Sequence, residues 1–113
     1  MSTEKLTVTL TGRRPVTITK ADWPVIAEAK AWDNTYEFQG QKWRLVVRQH
    51  ADGRAIVYGV HTSNYQNAKD ARGGELLEPG DDIPVAVHRV AESLDFEPRL
   101  AEECIADLPA DEI

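Results

Sequence analysis

Few side chains in this 113-residue chain could do chemistry: three histidines, one cysteine, three serines and some adjacent carboxylates. His50, His61 and His88 could hold a metal or move a proton near neutral pH. No two of them stand at the i, i+4 or H-x-H spacing that metal sites use, so ordinary surface histidines are expected. Cys104 is the only cysteine, which rules out an internal disulfide and a cysteine-based zinc cluster. Its place in the series Leu100, Cys104, Leu108 reads as a small core residue. Ser2, Ser63 and Ser93 form no Gly-x-Ser-x-Gly elbow, and Arg72-Gly73-Gly74 is too short for a phosphate loop. Asp81 and Asp82 precede a helical pattern, where capping accounts for them. No metal, cofactor or catalytic set is expected. A small enzyme with a site near residues 62–82 is kept as an alternative.

Charge is more informative than motif. The net charge is −6, yet residues 1–60 carry nine Lys/Arg against six Asp/Glu, and residues 61–113 carry four against thirteen. Such a split bears on partners rather than on fold. No apolar run approaches the ~18–20 residues that span a bilayer. Met1–Lys5 runs into an alternating pattern with no apolar leader. A cytoplasmic protein with no membrane partner is expected.

The elements that must position these charges are read from periodicity. Residues 5–19 alternate apolar residues with threonine, which predicts a hairpin closed by Gly12-Arg13-Arg14, with Leu10 opposite Val16 and Val8 opposite Ile18. Residues 22–32 read as a helix, with Asp22 as cap, Pro24 in the first turn and Val25, Ile26, Ala29 and Trp32 on one side. Residues 35–61 read as a three-stranded meander with turns at Gly40-Gln41 and Asp52-Gly53. Its expected core face holds Tyr36, Phe38, Trp43, Leu45, Val47, Ile56, Tyr58 and Val60. The other face would hold Lys42, Arg44, Arg48, His50 and His61, with an apolar strip of Val46, Ala55, Val57 and Gly59 among them. Residues 62–82 lack a period and read as a long loop. Residues 83–108 read as two helices with Asp82 as the first cap, and 109–113 as a frayed tail. The expected fold is one α+β domain, ordered ββαβββαα, with an antiparallel sheet of about five strands packed by helices on one face.

The stretches Thr11-Gly-Arg-Arg-Pro-Val-Thr-Ile-Thr-Lys-Ala-Asp-Trp-Pro-Val-Ile-Ala-Glu-Ala and Arg48-Gln-His-Ala-Asp-Gly-Arg-Ala-Ile-Val-Tyr-Gly-Val resemble small uncharacterised proteins carried on proteobacterial plasmids and integrated elements. That resemblance covers about a third of the chain and implies an accessory role in mobile DNA. It assigns no residue a function.

The expected function is therefore a non-enzymatic protein-interaction module. Its candidate contacts are the basic residues Arg13, Arg14, Lys42, Arg44, Arg48, His50 and His61, and the acidic residues Glu102, Glu103 and Asp107. The partner is expected to be another protein. A homodimer is one reading, since a second copy, or the chain's own acidic segment, could cover the apolar strip. Nucleic acid is disfavoured: Gly80-Asp81-Asp82 opens a helix with charge that repels phosphate. An acidic nucleic-acid mimic that inhibits a host defence protein is the other alternative.

Overall fold

The two β-alternating segments at the start of the chain pair as expected in kind but not in register. The structure is a computed structural model and describes residues 4–33, 41–62 and 71–109. Strands β1 (Lys5–Leu10) and β2 (Val16–Thr19) are antiparallel, with Leu6 opposite Ile18 and Val8 opposite Val16. The slide is two residues from the expected pairing, so every apolar side chain keeps its face. Thr7 and Thr17 meet on the outer face, their hydroxyls 2.9 Å apart. Leu10 is taken from the hairpin by another strand, where it pairs with Gly74.

The helix expected over 22–32 is a strand. After a single 3₁₀ turn at Lys20–Asp22, β3 runs from Val25 to Asp33. Ala27 and Ala29 are buried, Ala31 is partly buried, and Glu28 and Lys30 alternate with them. The segment satisfies a period of two as well as one of 3.6, and alanine's helix preference weighted the reading wrongly. Small side chains here let a helix lie close against the strand.

Strands β4 (Gln41–Gln49) and β5 (Ala55–Thr62) flank the expected Asp52-Gly53 turn. The connection is five residues, His50–Arg54, closed by His50 N–H to the Arg54 carbonyl at 2.8 Å. Gly53 sits at φ +99°, a left-handed conformation that glycine adopts without penalty. Val47 therefore opposes Val57, and Val46 opposes Tyr58. This one-residue offset corrects the expected faces. Trp43, Leu45 and Val47 share a side with Ala55, Val57 and Gly59, while Val46 and Arg48 share the other with Ile56 and Tyr58. The expected partner of β4, Tyr36–Phe38, lies outside the described residues; β4 instead pairs with β3.

Part of the expected 62–82 loop is also a strand. β6 (Ala71–Leu77) lies antiparallel to β5 and parallel to β1. Arg72-Gly73-Gly74 falls within it, at an irregularity in the pairing. The sheet is thus mixed and six-stranded, ordered β2-β1-β6-β5-β4-β3. The helices are as expected. α1 (Ile83–Ser93) is capped by Asp82, whose Oδ1 accepts from Val85 N at 3.2 Å, and α2 (Pro98–Asp107) follows.

The two edge strands are consecutive in sequence, and this fixes the shape of the sheet. Six strands spaced about 4.8 Å apart would put flat edges roughly 24 Å apart. The link Lys20–Pro24 contains a 3₁₀ turn and covers only about 16 Å. The sheet must therefore coil. Its inner face closes on itself around Val8, Leu10, Ile18, Trp23, Val46, Ile56, Tyr58 and Ala71. Its outer face, around Leu45, Val47 and Val57, is covered by Ala86, Val87, Val90, Leu100 and Cys104 of the helices. No described helix is long and apolar enough to cross a membrane.

At Gly74, β6 packs closely against the Val8 side chain of β1. A β-carbon there would stand 2.7 Å from Val8 Cγ1 and 3.2 Å from the Val57 carbonyl oxygen. Gly74→Ala is expected to destabilise the fold by about 1–3 kcal/mol. Urea denaturation checks this, with the midpoint lowered and the slope unchanged.

Candidate functional site

The basic residues do not form one face. Arg13 and Arg14 are exposed in the β1–β2 connection. Arg48 is part-buried and structural: its Nε donates to the Tyr58 hydroxyl at 2.9 Å and its Nη1 to the Trp23 carbonyl at 3.0 Å. It ties β4 and β5 to the link that closes the coil. His50 is held in the turn, where its Nδ1 accepts from Asp52 N at 3.1 Å and its ring lies 5.1 Å from Trp23. Lys42 is exposed on the same side of β4 as Arg44. His61 lies on the other side, stacked on Trp43 at 5.3 Å between centroids and 24° between planes. The strip that suggested a homodimer is internal: Ala55, Val57 and Gly59 are buried on the helix side, and Val46 lies in the inner cluster. The chain's own acidic segment covers Ala55, Val57 and Gly59.

Arg44 is paired with Glu28, which also receives Lys30 Nζ at 3.1 Å. Burial pulls the Glu28 carboxyl upward, but hydrogen bonds from Arg44 and Lys30 outweigh it and hold the group below its ordinary value. Arg44 Nε is enclosed without a hydrogen-bond partner among the described residues.

The acidic candidates divide in the same way. Asp107 Oδ2 accepts from the Glu28 backbone N–H at 3.0 Å, so it serves the fold. Glu103 stands 3.6 Å from Arg99 on the outer side of α2, and Glu102 is exposed beside it. Cys104 is fully buried; desolvation, with smaller contributions from Asp107 and Glu28, pushes its thiol up to about 12, which makes it inert. Ser93 donates to the Val90 carbonyl at 3.0 Å.

One concave surface centres on Trp43, which the expected register had placed inside the core. Trp43 is only partly buried. Two cavities meet on Trp43, Asp95 and Phe96. One, of about 280 Å³, is completed by Ala31, Glu97, Arg99 and Leu100. The other, of about 350 Å³, includes His61 and Arg72. β4 supplies Trp43, β3, β5 and β6 supply Ala31, His61 and Arg72, α2 supplies Arg99 and Leu100, and the α1–α2 connection supplies Asp95, Phe96 and Glu97. There α1 ends with Asp95 N–H to the Glu92 carbonyl at 3.1 Å and Phe96 N–H to the Ala91 carbonyl at 2.8 Å. Asp95 itself sits at φ +60°, the position where helices usually place glycine. An aspartate there costs about 1 kcal/mol relative to glycine. The sequence signal was the break Leu94-Asp95-Phe96-Glu97-Pro98, an aspartate where a helix stop favours glycine.

These cavities lie at or below the lower end of the ~300–1,000 Å³ range of small-molecule sites. Among the described residues, no three His, Cys, Asp or Glu side chains gather to hold a metal ion. The lining joins aromatic rings to carboxylates, a set suited to recognition. No known protein family matches the chain, and no curated protein or solved structure does either.

Glu28 gives a test of the electrostatics around β3 and β4. Its folded value lies below 4.5, so its contribution is complete above pH 4.5 and is lost as pH falls through the lower folded value. Glu28→Gln is expected to cost about 1–3 kcal/mol at pH 7. Urea melts at pH 7 and pH 3 check this: the gap between variant and wild type should narrow at pH 3.

Proposed function

We propose that the protein is a non-enzymatic interaction module that presents its acidic helical layer to a basic protein partner. One observation carries this reading. Residues 78–109, which form the layer over the outer face, hold nine Asp/Glu against two Arg. Both arginines are already engaged: Arg89 bonds Glu75 at 2.9–3.1 Å, and Arg99 lies 3.9 Å from Glu97 and 3.6 Å from Glu103. The layer thus carries a surplus of carboxylates at its surface, Glu92, Asp95 and Glu102 among them. Such a field speeds encounter with a cationic surface and weakens as salt screens it. The resemblance to proteins of plasmids and integrated elements supports an accessory role in mobile DNA.

A nucleic-acid mimic is less well supported. It needs the carboxylates as a continuous track, but Glu75, Asp81, Asp82 and Asp107 bond groups of the protein itself. An enzyme near residues 62–82 draws support from the 350 Å³ cavity, which joins His61 to Arg72 of that segment; against it, the hydroxyl of Ser93, which also lines the cavity, donates to the Val90 carbonyl.

Glu102 and Glu103 are exposed, so reversing both to lysine spares the fold. Affinity capture from a bacterial lysate is expected to retain a basic protein at low salt. E102K/E103K should cut its recovery about tenfold, as 0.5 M salt should for the wild type. Equal recovery with the double variant would remove the acidic layer as the contact.

A further inference from the structure

We propose that the 280 Å³ cavity between Trp43 and Phe96 receives one arginine side chain of the basic partner, with Asp95 as its counter-charge. This deepens the interaction reading above and rests on it. The cavity suits a single side chain better than a free metabolite, since it falls short of the usual small-molecule volume. Its walls hold what a guanidinium seeks: the aromatic rings of Trp43 and Phe96 and the carboxylate of Asp95, with Glu97 beside it shared with Arg99 at 3.9 Å. Arginine fits better than lysine, because its planar group stacks on a ring while donating in plane to a carboxylate.

The cations nearby do not fill the role. Arg99 is turned along α2 toward Glu97 and Glu103. Arg72 and His61 line the neighbouring cavity rather than this one, and Lys30, Lys42 and Arg44 line a third on the β3–β4 side of Trp43, where Lys30 and Arg44 pair with Glu28. The carbonyl end of α1 finishes at Ser93, with Leu94 as its cap, and adds negative potential next to Asp95, while Glu97 caps the start of α2. Asp95 also holds a left-handed backbone at φ +60°, where glycine would be the more stable choice. A costly residue kept at the mouth of a cavity points to use of its side chain.

The test uses the full chain and a short peptide with four arginines, with the same peptide in citrulline as the neutral control. Binding is followed by NMR on the indole N–H signals, Trp43 being assigned through Trp43→Phe. The arginine peptide should shift the Trp43 signal and the citrulline peptide should not. Asp95→Gly should raise the melting temperature and yet weaken arginine-peptide binding about fivefold or more. A merely structural Asp95 would raise stability and leave binding unchanged, which overturns the proposal, as would equal binding of citrulline or no shift at Trp43. If E102K/E103K loses the peptide while Asp95→Gly keeps it, the cavity fails and the acidic-layer reading stands. If a tetraglutamate peptide shifts Trp43 instead, both fall.

Discussion

The fold depends on a short piece of chain. Lys20–Pro24 joins the two edge strands of a six-stranded sheet, and it is too short to do so across a flat one. Coiling is the only solution, and it has energetic consequences. An inner face with no helix on it becomes a core, because the β1–β2 hairpin folds over β4 and β5. Arg48 then has a structural task, bonding the Trp23 carbonyl and the Tyr58 hydroxyl across the closure. The helices are left to cover only the outer side.

That same closure decides what could be read from the sequence. β1 and β2 bury one face each, so threonine alternation gave their faces even though the pairing slid by two residues. The helices α1 and α2 were legible from Asp82, Pro84 and their apolar stripes. β4 and β5 are different: Val46, Val47, Ile56 and Val57 are all fully buried. A strand buried on both sides carries no alternation to fix its register. A register shift of one residue across the His50–Arg54 connection was enough to exchange the faces. β3 was hidden because its buried side is alanine, the best helix former. β6 was hidden because Gly73 and Gly74 lack the side chains that mark a strand, and because a parallel partner has no turn to announce it.

Once Trp43 leaves the core, its ring joins Phe96, Asp95 and Glu97 in a cavity at the α1–α2 connection. The basic face dissolves into separate tasks: Arg44 neutralises Glu28, Arg48 closes the coil, and His61 stacks on Trp43. The acidic half, by contrast, stays together as one layer, because both of its helices lie on one side of the sheet.

Asp107 shows how this layer governs the way the protein can be met. An outermost strand with unfilled amide donors is a template on which a strand from another chain can add. On β3, the Glu28 amide is already bonded to the Asp107 carboxylate from the end of α2. The other edge, β2, is four residues long, too little for a stable added strand. The Asp107 bond takes one donor of the β3 edge out of such pairing, so the end of α2 blunts the strand that it packs against.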